Sequence, residues 1–380
     1  MPSHLYIHVP FCDGKCHYCG FYSVVAAPSL TALYSGLPAC ELDRLLETQP
    51  SVQNDPVRTV YIGGGTPAMV GSDGLKRLAD TVSTRLSFNA VEEWTVELNP
   101  ATVTPVLLKT LATIGVNRIS IGVQSFNDAV LAQIGRRHTA AAATRAIRMA
   151  QDAGFSNTGI DLIAGLPGVT QGMWQTTLEH AASLGLRHLS VYALSVEPGT
   201  RLAAQVAEGL VLPDDEAQLA TLSQAEQFLG LSGFERYEVS NYALPGYACK
   251  HNVGIWRGND YIGLGPAAAS RLGRLRWTNS EDVSDYIESL THQRALSDAK
   301  EMRSEMDDAV ERVIFALRLS EGIDPFAAAQ RFPILKDRAT LWERRLEGLA
   351  HQGIIERIGR RWRLSSRGRE VCDAVLRELS

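Results

Sequence analysis

Hydrophobic positions gather into seven β-rich runs: "LYIHVPF" (5–11), "TVYIGGG" (59–65), "WTVELNP" (94–100), "RISIGVQSF" (118–126), "TGIDLIAGLPG" (158–168), "HLSVYALSV" (188–196) and "FERYEVSNYA" (234–243). Helical patterns alternate with them. "PVLLKTLATIG", "AAATRAIRMAQDAG", "WQTTLEHAASLG" and "DEAQLATLSQAEQFLGLSG" precede runs four to seven, and each ends in a glycine placed as a helix C-cap. The runs read as near-continuously apolar, which suits a parallel sheet covered by helices. Alternating β and α elements over about 240 residues predict an α/β fold, a partial (β/α) TIM-like barrel. Polar residues collect at one end of the runs: Cys12 after the first, Gly63 to Thr66 after the second, Glu97 and Asn99 at the third, Gln124 and Ser125 at the fourth and Asp161 in the fifth. In such barrels that end forms a shared cavity.

From about residue 300 the texture changes. "EMDDAVERVIFALRLSEGI" and "LWERRLEGLAHQG" read as amphipathic helices, "IIERIGRRWRLSSRG" as a hairpin around Gly359, and "REVCDAVLREL" as a last helix. This predicts a smaller α+β, winged-helix-like C-terminal domain. Arg357, Arg360, Arg361 and Arg363 lie on its hairpin, where a solvated wing also carries charge.

Charge and composition narrow the partners. The 380 residues carry a net charge of −5, which gives no general attraction to nucleic acid. No leader pattern opens the chain, and no apolar run approaches the roughly 20 residues of a membrane helix, so the expected location is the cytoplasm. Six cysteines do not make a disulfide scaffold. Cys40 and Cys372 read as small buried hydrophobes.

Cys12, Cys16 and Cys19 follow C-x3-C-x2-C spacing, so three sulfurs can face one point from a loop. Zinc would take a fourth ligand, for which His8 and His17 are near in sequence. A [4Fe–4S] cluster held by three thiolates would leave one iron open.

The same spacing, with Tyr18 before the last cysteine, resembles the signature of radical S-adenosylmethionine (SAM) enzymes. The resemblance implies a [4Fe–4S] cluster on Cys12, Cys16 and Cys19, with SAM on the open iron. It carries further elements in order: "GGGTP" with Gly64, Gly65 and Thr66 for the SAM amino group, and "ELNP" with Glu97 for the ribose. "GVQSF" follows with Gln124, "GRRH" with Arg136 and "DLIAGLPG" with Asp161, while Tyr6 and Tyr18 stand at SAM-contacting positions.

Together with "PGYACKHNVGIW", "YIGLGPAAAS" and "LRLSEGI", these motifs resemble the oxygen-independent coproporphyrinogen III oxidase family almost end to end. Two features favour its HemW-type heme-chaperone branch. The oxidase branch has a further cysteine where this chain has Phe21, and the chaperone branch has H-N-x-x-Y-W where this chain has "HNVGIW". The resemblance implies heme binding by His251, Asn252 and Trp256, with His251 the best axial candidate. Cys249 is a second candidate ligand or attachment point. Two positions depart from the family: Ile255 replaces the tyrosine, and Ala269 in "GPAAAS" replaces a histidine. The expected segments are 1–240 for the barrel and cluster loop, 241–298 for the heme motif and connector, and 299–380 for the C-terminal domain. The implied partners are heme, a heme-acceptor protein (one at a membrane included), an external electron donor and a second copy of the chain. The alternative function is radical SAM decarboxylation of coproporphyrinogen III in porphyrin biosynthesis.

Overall fold

The computed structural model describes residues 3–297 and 299–380, so the boundary read at 298 falls on a residue outside them. The parallel strands are β1 (His4–Val9), β2 (Thr59–Gly64), β3 (Glu93–Leu98), β4 (Arg118–Gln124), β5 (Asn157–Ala164) and β6 (His188–Ala193). Later strands are β7 (Glu235–Arg236), β8 (Asn241–Ala243), β9 (Tyr261–Leu264), β10 (Ala269–Leu272), β11 (Leu275–Thr278) and β12 (Glu301–Met302). Among the described residues they form one sheet in the order β12-β11-β10-β9-β1-β2-β3-β4-β5-β6-β8-β7. The run from β9 through β1 to β6 is parallel, and the strands at either end are antiparallel.

The alternation rule explains this architecture. Helices Pro105–Thr113, Ala140–Asp152, Gln171–Ser183 and Asp215–Leu231 each begin at a Thr or Asp whose side chain accepts from a first-turn backbone N–H. Each is followed by the glycine that the sequence marked as a stop, Gly115, Gly154, Gly185 or Gly233, all with positive φ.

Two expectations are corrected here. The seventh run is not one parallel strand: "FERYEVSNYA" folds back on itself as β7 and β8, with Tyr242 paired to Arg236. Polar residues between them turn the chain, and Glu238 accepts from Ser240 N at 2.8 Å. The strand series instead gains β9 on the far side of β1.

The strands also alternate rather than running continuously apolar. One face carries Val60 and Ile62, Trp94 and Val96, Ile119 and Ile121, and Leu189 and Val191, all in the large core under the helices. The other face carries Thr59, Glu93, Thr95, Arg118, Ser120, His188 and Ser190, which are also buried. Register places Thr95 beside Arg118, and Asp161 beside Gly122 and Ser190, so the interior of the curved sheet is a polar layer.

A second core around Trp342, Leu346, Leu349 and Trp362 closes the C-terminal domain, whose hairpin pairs β13 (Ile355–Ile358) with β14 (Arg361–Leu364). Three of its four hairpin arginines are engaged locally: Arg357 pairs with Glu343, Arg363 with Glu356, and Arg361 donates to the carbonyls of Glu321 and Gly322. Buried ion pairs fasten this domain to the sheet. Arg271 on β10 meets Asp308 at 2.6 Å and Glu311 at 3.3 Å, and Arg312 meets Asp260 at 2.8 Å.

A buried carboxyl ties the N-terminal helix Leu37–Thr48 to the β9–β11 region. Glu41 accepts from Gly265 N, Asn279 Nδ2 and Tyr286 OH at 2.6–2.8 Å. Burial outweighs these donors and pushes its pKa from 4.5 up to about 7. The folded state then keeps a proton that the unfolded chain has released, so this contribution is whole at low pH and is lost as pH rises towards 7. Relative to Glu41→Gln, the wild-type unfolding free energy should fall by about 3 kcal/mol between pH 4.5 and 8 in urea titrations. A difference that stays flat with pH would contradict this role.

Candidate metal and cofactor site

The sulfur loop leaves the sheet at its carboxyl end. After β1, Phe11–Cys12 pairs in parallel with Val24–Val25, closing the loop that carries Cys16 and Cys19. Cys12 Sγ lies 3.7 Å from Thr66 Oγ1, and Arg136 Nη1 donates to Cys16 Sγ at 3.6 Å. Burial pushes the Cys19 thiol up. The two histidines near in sequence are held elsewhere. His8 meets Tyr6 OH and Tyr22 O with its two ring nitrogens, and His17 Nδ1 meets the carbonyl of Gln133 at 2.8 Å.

All three cysteines line a 620 Å³ cavity over the polar face of the sheet. The glycine run forms one wall. Gly65 N donates to Val9 O at 2.8 Å and Thr66 N to Phe11 O at 2.7 Å, which sets the loop against the strand leading to Cys12. A Cβ on Gly65 would lie 2.6 Å from Phe11 O and 2.9 Å from Val9 O. Gly65→Ala should therefore displace the Phe11–Cys12 strand and cost about 1–3 kcal/mol by chemical denaturation. Unchanged stability would mean that the loop yields freely.

The facing wall is acidic and amide-bearing. Glu97 accepts from Tyr61 OH at 2.7 Å and Gly64 N at 3.2 Å, and burial pushes its pKa up to about 7. Asp161 accepts from Ser120 Oγ at 3.2 Å, and burial raises it as well. Gln124 follows a bulge in β4 and has φ +69°, a left-handed conformation that costs a non-glycine residue about 1 kcal/mol or more. Gln124 lines the cavity. Tyr18 and Arg136 complete the lining. Tyr6 is placed differently, on the second cavity described next.

That second cavity, 760 Å³, adjoins the first. Lys15, Gly20, Phe21 and Tyr192 line both. Its far wall is the short helix Lys250–Trp256, which brings His251, Asn252, Ile255 and Trp256 to the space, with Ala269 opposite. Both departures from the family motif, Ile255 and Ala269, thus face the same opening as Phe21.

Glu93 holds the start of that helix. Its carboxylate accepts from Cys249 Sγ at 3.3 Å, Lys250 N at 3.0 Å and His251 N at 3.0 Å. Cys249 is therefore turned away from both cavities, and burial raises its thiol to about 12. A reactive or ligating thiol would need the opposite shift. Trp256 stacks under Arg318, whose guanidinium carbon is 4.4 Å from the ring centroid. Of the two scattered cysteines, Cys372 is buried as expected, but Cys40 is exposed on helix Leu37–Thr48.

The run-by-run reading missed the supporting residues Thr59, Glu93, Arg118, Ser120 and Ser190. Period-two alternation within the strands was the signal that could have found them.

The Radical SAM superfamily matches residues 6–181, and the HemN C-terminal domain matches residues 304–371. The heme chaperone HemW of Mycobacterium tuberculosis is 34% identical over 383 residues, covering 100% of this chain and 95% of that protein. The heme chaperone HemW of Bacillus subtilis is 33% identical, covering 98% and 99%. The chain belongs to the HemW family of radical SAM proteins. The heme chaperone HemW of Escherichia coli is 37% identical over 297 residues, 76% of each chain. In fold, the chain matches the radical SAM enzyme coproporphyrinogen III oxidase of Escherichia coli with a TM-score of 0.86, at 24% identity, over 100% of this chain and 90% of that one. That likeness shows the radical SAM fold. Among the described residues no helix is long and apolar enough to cross a membrane.

Proposed function

We propose that the chain is a cytoplasmic heme chaperone that takes up heme in the second cavity and passes it to an acceptor protein. The observation that carries the reading is the near full-length similarity to several heme chaperones, joined to a cavity wall made by His251, Asn252 and Trp256. In this reading residues 1–240 carry the cluster and SAM, 241–298 carry the heme motif, and 299–380 form the C-terminal domain.

The first cavity is suited to a [4Fe–4S] cluster with SAM. Three cysteines and no fourth line it, its glycine wall leaves no room for a Cβ, and a strained Gln124 lines it. Cys12, Cys16 and Cys19 would hold the cluster. Gly64, Gly65, Thr66, Glu97, Gln124, Arg136 and Asp161 would hold SAM beside Tyr18, with Tyr6 supporting through His8. When reduced by an external donor, such a cluster supplies an electron to SAM. The protein's own contribution is to neutralise and orient. Arg136 places a cation at Cys16, Glu97 accepts donors at the glycine loop, and Phe21 and Tyr192 line both spaces.

The test is an anaerobic assay of the reconstituted protein with reductant, SAM and coproporphyrinogen III, following tetrapyrrole products and 5′-deoxyadenosine. The reading expects no decarboxylated product. Protoporphyrinogen formed over many turnovers would establish the oxidase and overturn it.

A further inference from the structure

His251 is held from behind by a chain of side chains, His4 and Thr59 buried and Asn259 half-buried, that joins three separate elements. Asn259 Nδ2 lies 3.1 Å from His4 Nε2, His4 Nδ1 lies 2.7 Å from Thr59 Oγ1, and Thr59 Oγ1 lies 2.9 Å from His251 Nδ1. The chain follows from the fold. His4 and Thr59 are register partners on β1 and β2, and the two imidazoles meet edge to face at 5.7 Å.

The donors and acceptors can be assigned in one direction. An amide nitrogen only donates, so His4 Nε2 accepts and the His4 proton sits on Nδ1. His4 Nδ1–H then donates to the Thr59 oxygen. The Thr59 hydroxyl hydrogen has one acceptor left, His251 Nδ1, and the His251 proton is therefore on Nε2. With the Asn259 amide nitrogen facing His4 Nε2, the opposite His251 tautomer would aim two N–H groups at one hydroxyl and strand its hydrogen in a buried place, at a cost of about 1–3 kcal/mol. The alternation requires both rings to be neutral. Burial supplies this by lowering His4 to about 4 and His251 to about 3. His251 Nε2 meets no protein partner among the described residues, and His251 lines the second cavity.

We infer that Asn259, His4 and Thr59 form a hydrogen-bond relay that fixes His251 as its Nε2–H tautomer, so that His251 meets a ligand of the second cavity as a hydrogen-bond donor to a carboxylate and not as a metal ligand. The identity of that ligand, a tetrapyrrole with carboxylate side arms, rests on the proposed function; the relay does not. Iron coordination then does not run through His251, which changes the role the sequence suggested for it. Thr59, His4 and Asn259 are positioning residues.

The test begins on heme-free protein labelled with 15N-histidine. Long-range nitrogen–proton spectra distinguish a protonated ring nitrogen from a bare one, and the His251→Ala variant assigns the signal. Wild type is expected to show Nε2 protonated and Nδ1 bare. Thr59→Val should give a mixture of tautomers, and Thr59→Ser should restore the wild-type pattern. A wild-type Nδ1–H tautomer, or a pattern indifferent to Thr59→Val, would overturn the relay. Ferric heme is then added. His251→Ala is expected to weaken uptake about tenfold and to leave the axial-ligand signature in electron paramagnetic resonance unchanged. A changed axial signature would overturn the donor role. Protein that takes up no heme would contradict the proposed function, while the nitrogen spectra still decide the relay.

Discussion

Replacing any one of Cys12, Cys16 and Cys19 by Ala yields a protein that reconstitutes no iron–sulfur chromophore. The three thiols come from one loop at the rim of a cavity, and each occupies a different part of it. Cys12 sits against Thr66 and Cys16 against the Arg136 guanidinium, while burial raises the Cys19 thiol. No fourth cysteine lines that cavity, so no spare thiol can substitute. His8 and His17 are engaged by other partners. A cube held by three protein thiolates loses a corner with each substitution, and iron and sulfide should fall from about four each per chain to background. The barrel should survive, because its core of Leu5, Ile7, Val9, Val60 and Ile62 lies behind the loop. Far-ultraviolet circular dichroism is expected to stay unchanged. Cys40→Ala, at an exposed position, is the matched control and should reconstitute normally. Full iron content in Cys16→Ala would show that the cluster does not depend on this loop.

The second large effect lies in the polar layer beneath the cavity. Arg118→Met should cost about 3–5 kcal/mol in urea denaturation, the range for stripping a buried charge of its partner. Arg118 is 2% exposed and reaches only Thr95 Oγ1, at 3.4 Å, as a side-chain hydrogen-bond acceptor. Its worth is electrostatic. Its positive charge favours the ionised forms of Glu97 and Asp161, and Glu93 favours its own charge in return. Methionine would fill much of the volume and leave those acids facing each other. Glu93 also holds the first turn of the His251 helix through two backbone N–H groups, so the damage should reach the second cavity. Adding Glu93→Gln to Arg118→Met should recover part of the loss, and that recovery measures the coupling. A cost below about 1 kcal/mol for Arg118→Met would show that water reaches the layer and solvates it.

Much of this arrangement was legible along the chain because local rules govern it. The cysteine spacing, the glycine run and the four helix stops each act within a few residues, and all four stop glycines adopt the positive φ that the motif requires. The polar layer was not legible because its residues were absorbed into runs that looked apolar throughout. Thr59, Thr95, Arg118 and Ser120 alternate with valines and isoleucines, and only their burial shows that both faces of the sheet are covered. Long-range partners were hidden for a different reason. Thr59 meets His251 across 192 positions, and Glu93 meets it across 158, distances at which spacing carries no information. "FERYEVSNYA" misled because its composition favours a strand, whereas a turn through Glu238 and Ser240 divides it. Cys40 misled because thiols are usually buried, whereas the helix that carries it turns Leu42 and Leu46 inward.

Heme uptake and transfer are the central claim for this chain. The most direct test is anaerobic titration of the cluster-loaded protein with heme, followed by mixing with a heme-free acceptor protein and separating the two. The expected result is saturable uptake of heme by the chain, weakened when Trp256 is replaced by Ala, and recovery of heme on the acceptor. No uptake by a protein whose cluster is intact would contradict the account.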